Sequence, residues 1–200
     1  MKYSFDAFMK NKGFFKKGTT YFRVENDVAF LVLFEKPSAL TYCSFAFMPL
    51  YMPAKSVYLS YGNRMNNCFP QFTPLTTSAD AEVWYPALAD LLQAEVFPFW
   101  EKISSAEKIC AVFGSRMSKK YARFVSCPPD KIAKLRIYSR LRCTGKADAE
   151  EVSAYKKQIL AADYLTDRMK YAELEEIEKL QAAPTDYLDG VIDESIKLFG

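Results

Sequence analysis

Residues 13–53 read GFFKKGTTYFRVENDVAFLVLFEKPSALTYCSFAFMPLYMP. Aromatic and β-branched residues recur there at period two, and turn-forming residues punctuate them at short intervals. That pattern predicts an antiparallel β-meander. Phe14–Lys17 opens it, Gly18-Thr19 turns the chain, and Thr20–Glu25 continues with Phe22 and Val24 on one face and Tyr21 and Arg23 on the other. Asn26-Asp27 tolerates the left-handed region that a tight turn needs. In Val28–Lys36, Val28, Phe30, Val32 and Phe34 oppose Ala29, Leu31 and Leu33. Both faces are apolar, so this strand is expected at the centre of the sheet, covered on both sides. After a loop at Pro37–Leu40, Thr41–Met48 alternates again, and Ser56–Tyr61 is expected to add a last short strand.

Outside this stretch the periodicity is helical. Tyr3–Asn11 places Phe5, Phe8 and Met9 on one face, and Gly13 stops the helix. Asn63–Thr77 reads as a loop. Ser78 is the expected N-cap of a helix carrying Val83, Leu88, Leu91, Leu92 and Val96, which Pro98 should kink or end. Ser104-Ser105-Ala106-Glu107 has the form of a capping box, so a helix with Ile109, Val112 and Phe113 should start there. Further helices are expected at Lys131–Leu141, after Asp148, at Leu165–Leu180 and at Asp186–Phe199. Strands followed by helices imply an α+β fold. The expected architecture is an N-terminal helix, an antiparallel meander of four or five strands, and a helical C-terminal half packed on one face of the sheet. One domain should span 1–200, with its sheet region at 13–61 and its helical region at 78–200.

The chain contains no histidine. That removes every function resting on a His general base, a His metal ligand, or a Cys-His or Ser-His-Asp nucleophile within this chain. Sixteen Phe and thirteen Tyr point to a Phe-heavy core rimmed by Tyr. Cys43, Cys68, Cys110, Cys127 and Cys143 are odd in number and not closely spaced, which suits small buried residues rather than a zinc site or disulfide framework. Cys127, before Pro128-Pro129 in a basic neighbourhood, is the thiol to test first for a depressed pKa. The N-terminus lacks the form of a signal peptide, and the most apolar run, Val28–Phe34, is too short to span a bilayer. A cytoplasmic protein with no membrane partner is the expectation.

Charge is unevenly spread. Residues 115–146 hold ten basic residues against Asp130, a net +9, whereas 147–200 hold six basic and thirteen acidic residues, a net −7. The basic block, with Arg116, Lys119, Lys120, Arg123, Arg136 and Arg140, would attract the phosphates of nucleic acid if it faced solvent. The competing reading is that the acidic helices lie against it and cancel its field. Tyr58, Tyr61, Asn63 and Arg64 form a second candidate, an aromatic-polar loop suited to a protein or small anionic ligand. Glu173 and Glu176 share one helix face and are the carboxylate pair for acid–base or Mg²⁺ chemistry, but their run reads as a solvated face. Gly62 and Gly114 stand alone, so no phosphate loop, cofactor motif or metal site is expected.

The residues Gly13-Phe14-Phe15-Lys16-Lys17-Gly18, followed by the Tyr21-Phe22-Arg23 strand, carry a resemblance. An opening helix, Gly-Phe-x-Lys-Lys-Gly and an aromatic-x-Arg strand resemble a bacterial family called domain of unknown function 4304, over residues 1–60. The resemblance implies an α+β domain; it implies no activity and transfers no functional residue. The leading expectation is therefore a non-catalytic binding or interaction protein. Nucleic-acid binding through 116–146 is the first alternative, and a His-free enzyme using carboxylate, Tyr or Cys the second.

Overall fold

The computed structural model describes residues 4–57, 59, 61–114, 119–182 and 184–199. An opening helix, α1 (Phe5–Asn11), leads into a five-stranded antiparallel sheet whose order follows the chain: β1 (Phe15–Lys17), β2 (Thr20–Glu25), β3 (Val28–Glu35), β4 (Tyr42–Pro49) and β5 (Tyr61–Arg64). The helices then run α2 (Met65–Cys68), α3 (Ala81–Leu91), α4 (Phe97–Glu101), α5 (Ala106–Phe113), α6 (Lys119–Ala122), α7 (Pro129–Thr144), α8 (Ala149–Ala161), α9 (Asp167–Ala182) and α10 (Pro184–Ile196). The α+β architecture is as the periodicity predicts.

Turn chemistry sets the register. Gly13 and Gly18, which bracket β1, both have positive φ (79° and 61°), a conformation glycine adopts without a Cβ penalty. Asn26 takes the left-handed region at φ 53°, which pairs Glu25 with Val28 and Phe22 with Leu31. The same turn docks on the helical half. Asn26 Nδ2 donates to Ser104 O at 2.9 Å, and Asp27 Oδ1 accepts from the Ala106 N–H, at the start of α5, at 3.1 Å.

β3 is the central strand, and Val28, Ala29, Phe30, Leu31 and Val32 are all fully buried. Its Phe30/Val32 face joins the main core with Phe45 and Phe47 of β4. Phe30 stacks on Trp100 at 4.9 Å, while Phe47 meets Phe99 at 6.3 Å and Phe113 at 5.8 Å. The other face carries Phe22, Ala29, Leu31, Ala46 and Met48. Leu50 and the C-terminal Phe199 cover it, with Leu59, Ile192 and Leu198 alongside. The Phe199 ring lies 5.3 Å from Phe22. So most of the helical half packs on one face, and Ile192 of α10 with Leu198 and Phe199 covers the second.

Four local expectations need correction. The last strand is Tyr61–Arg64, not Ser56–Tyr61, and α2 follows it where a loop is expected. The N-cap of α5 is Ser105, whose hydroxyl accepts from Lys108 N at 3.4 Å. Ser104 is buried and its hydroxyl meets the Lys108 ammonium at 2.8 Å instead. Thr77, not Ser78, makes the capping box that leads into α3, with Asp80 as its partner. Pro98 does not end the helical run: a π-turn over Leu92–Val96 joins α3 to α4 and leaves Pro98 near the start of α4.

Gly62 explains the position of β5. A Cβ there would lie 2.0 Å from Phe45 O and 2.6 Å from Ala46 Cα, so only glycine lets β5 approach β4 this closely. Gly62→Ala is expected to cost roughly 3 kcal/mol or more in urea unfolding, because backbone rather than a flexible side chain must move. A loss below about 0.5 kcal/mol would refute the observed β4–β5 register.

Candidate functional site

Of the expected loop from Tyr58 through Asn67, Tyr61, Asn63 and Arg64 lie on an edge strand, and Tyr58 falls outside the described residues. Tyr61 is buried, stacked on Phe47 at 5.5 Å, and donates from its hydroxyl to Lys131 O at 3.0 Å. Asn63 Nδ2 donates to Arg123 O at 2.9 Å, while its Oδ1 accepts from Arg64 N and Asn67 Nδ2. Arg64 Nε reaches Glu35 Oε2 at 3.3 Å and its guanidinium sits 4.9 Å from the Tyr42 ring. Ser126 N donates to Gly62 O at 2.9 Å, closing the sheet edge. Tyr61, Gly62 and Asn63 thus fasten β5 to the segment 123–131, while Arg64 reaches back to Glu35 of β3 and Tyr42 of β4.

The basic block is largely paired. Arg123 meets Glu95 at 2.6 Å, Arg136 meets Glu151 at 2.7 Å, Arg140 meets Asp148 at 3.1 Å, and Arg142 meets Asp189 at 2.6 Å and Asp27 at 3.7 Å. Of these carboxylates, Glu151, Asp148 and Asp189 belong to the acidic C-terminal segment. Arg116 and the side chains of Lys119 and Lys120 lie outside the described residues. Exposed pairs contribute little stability, yet they cancel the field on which phosphate attraction depends.

The Cys127 thiol is not depressed: burial pushes it up, to about 11, and the Lys131 charge does not compensate. Glu173 and Glu176 are not a solvated face either. Lys134, with only 15% of its side chain exposed, lies between them, 2.7 Å from Glu173 Oε2 and 3.0 Å from Glu176 Oε1. Tyr155 donates to Glu173 at 2.9 Å and Tyr138 donates to Glu176. Burial, followed by the adjoining carboxylates, drives both phenols far above their ordinary range, so they remain protonated donors. Burial opposes the Lys134 charge, but Glu176 and Glu173 outweigh it and hold its pKa above the ordinary value. This cluster joins α7, α8 and α9 as a satisfied polar layer. Among the described residues no group of three or more His, Cys, Asp or Glu side chains is arranged to hold a metal ion, and no helix is long and apolar enough to cross a membrane.

A cleft of about 1150 Å³ lies elsewhere, where α1, β1, β2, β3 and the start of α3 meet. Phe5, Phe34 and Tyr85 form its aromatic wall, with Phe5 5.5 Å from Phe34 and 5.4 Å from Tyr85. Asp6, Lys16 and Tyr21 supply the polar groups: Lys16 Nζ donates to Asp6 Oδ1 at 3.1 Å, and the Tyr21 hydroxyl donates to the same oxygen. The Tyr21 hydrogen bond and then Lys16 lower the Asp6 pKa. Burial and the Asp6 bond raise Tyr21 to about 12, and Tyr21 and Asp6 raise Lys16. All three move away from neutrality. At pH 7 the cleft presents a charged carboxylate, a charged ammonium and a protonated phenol. Sequence reading missed this site because its residues come from five separate elements. The one local signal is Lys16 within Gly-Phe-x-Lys-Lys-Gly.

Compared with known proteins, the chain matches no family model, no curated protein and no solved structure.

Two outcomes follow for the Lys134 layer. Lys134→Met should destabilise by roughly 2–3 kcal/mol at neutral pH, since it leaves two half-buried carboxylates facing each other. A raised ammonium pKa contributes stability below the unfolded value near 10.4 and loses it as pH rises through the folded value. The wild-type advantage over Lys134→Met should therefore hold from pH 7 to about 10 and shrink above it. Urea midpoints across that range check it, and a pH-independent or absent difference would contradict the assigned layer.

Proposed function

We propose that the protein is a non-catalytic binding protein whose ligand seats in the Asp6–Lys16–Tyr21 cleft. The observation that carries this reading is that the cleft's three ionisable partners are each held away from neutrality while an aromatic wall stands beside them. A carboxylate and an ammonium 3.1 Å apart complement a ligand bearing the opposite pair. Its ammonium meets Asp6, its carboxylate meets Lys16, and an apolar ring lies against Phe34 and Tyr85. The ligand class is a small zwitterion with an aromatic or bulky apolar body, such as a free amino acid or the end of a peptide. The intramolecular pairing of Arg123, Arg136, Arg140 and Arg142 disfavours the nucleic-acid alternative. The resemblance at residues 13–18 adds no activity, and it fits the cleft only in that Lys16 lies within the motif.

Isothermal titration calorimetry with L-phenylalanine, 3-phenylpropanoate and 2-phenylethylamine separates the contributions. L-Phenylalanine should bind about tenfold more tightly than either singly charged analogue, and Asp6→Asn or Lys16→Met should each reduce that binding about fivefold, in line with one exposed ion pair apiece. Equal binding of phenylpropanoate would reassign the ligand as a simple anion. No binding by any of the three at millimolar concentration would remove the cleft as the site.

A further inference from the structure

We propose that Cys110 and Cys143 form a redox-modification site, in which a hydroperoxide joins the two thiols in a disulfide that fastens α5 to α7. The Cys143 and Cys110 sulfurs are 3.8 Å apart, in hydrogen-bond contact, and both residues are half-buried. The remaining thiols are arranged differently. Cys43 and Cys68 are buried and donate to the backbone carbonyls of Ser44 and Arg123, and among the described residues no hydrogen bond joins any other pair of thiols. Cys143 also lines a second cleft, of about 520 Å³, between the Asn26-Asp27 turn, the start of α5 and Ile192 of α10. An oxidant of peroxide size therefore reaches Cys143 from solvent while Cys110 waits beside it.

The chemistry balances with one equivalent of hydroperoxide. The Cys143 sulfur attacks the peroxide oxygen and the O–O bond breaks. The departing oxygen leaves as an alcohol, or as water from hydrogen peroxide, taking up the thiol proton, and Cys143 becomes a sulfenic acid. The Cys110 sulfur then attacks the Cys143 sulfur. An S–S bond forms, the S–O bond breaks, and water leaves with the Cys110 proton. Two thiols lose two electrons, and the hydroperoxide is reduced. An S–S bond of about 2.05 Å requires the sulfurs to close from their present contact by side-chain rotation and a small approach of the two helices. Burial holds the Cys143 thiol up at about 12 and raises Cys110 as well, so the first step is slow at neutral pH. The second step is intramolecular between touching groups and outruns release or over-oxidation of the sulfenic acid. The pair thus records sustained oxidation rather than a brief pulse.

A crosslink here closes the segment 110–143, which includes the residues that hold the β5 edge, and restricts the unfolded chain. The test uses the full chain treated with hydrogen peroxide, alkylated with iodoacetamide, digested with trypsin without reduction and mapped by mass spectrometry. The expected product is Ile109–Arg116 joined to Cys143–Lys146 with two hydrogens lost, together with a rise in Tm of about 5–10 °C that dithiothreitol reverses. In Cys110→Ala, the same treatment should carry Cys143 on to sulfinic acid with no crosslink and no rise in Tm. Alkylated Cys110 and Cys143 in the treated wild-type chain, sulfinic acid at Cys143 despite Cys110, or a crosslink through any other cysteine would each overturn the proposal.

Discussion

The burial of β3 on both faces is the constraint on which the rest of the structure depends. A strand whose every side chain from Val28 to Val32 is shielded from water needs two covers, and one layer of helices supplies only one. The first cover is the aromatic layer in which Trp100 stacks on Phe30 and Phe99 meets Phe47. The second is assembled from Leu50, Ile192, Leu198 and Phe199, so three late residues pack against the sheet together with Leu50. The turn at Asn26-Asp27 couples the two ends of this arrangement. It sets the β2–β3 register, receives the Ala106 N–H at the start of α5, and pairs with Arg142 near the end of α7.

Polar contacts are set within the apolar packing of the helical half. Tyr51 and Ser139 are hydrogen-bonded at 2.6 Å in full burial, and Ser139 in turn donates to Leu135 O at 2.7 Å. Lys134 gathers Glu173 and Glu176, and Tyr155 and Tyr138 donate to the same carboxylate oxygens that it contacts. Breaking one partner of such a layer leaves a charge without its counter-ion in a low-dielectric setting, which is why a charged layer can fix helix order although it adds little net stability. Part of the segment of net charge +9 is engaged in the same way. Arg136, Arg140 and Arg142 meet Glu151, Asp148 and Asp189, Arg123 meets Glu95, and Arg142 also approaches Asp27.

What the sequence showed and what it concealed have physical reasons. The faces of β2, β3 and β4 were legible because period-two alternation between Phe, Val and Leu has only one packed solution. Tyr61-Gly62-Asn63-Arg64 carries no alternation, and its pairing with β4 follows from the close approach that Gly62 permits, a feature of the partner strand and not of the local sequence. Pro98 is a helix breaker by composition, but the π-turn before it moves it to a helix start, where it is tolerated. Glu173 and Glu176 were correctly placed on one face by their spacing. Their burial depends on Lys134 from another helix, which no local pattern encodes. The Asp6–Lys16–Tyr21 cleft was hidden for the same reason, since its members are local neighbours only in three dimensions.

Native-state hydrogen exchange tests the central claim most directly. If β3 is sealed on both faces, the amides of Ala29 through Val32 exchange only by global unfolding. Their exchange free energies then equal the value from denaturant unfolding, while those of the exposed edge strand Phe15–Lys17 lie well below it. Amides in β3 that exchange as readily as those of β1, through local opening, would contradict the two-sided burial from which the rest of the structure has been derived.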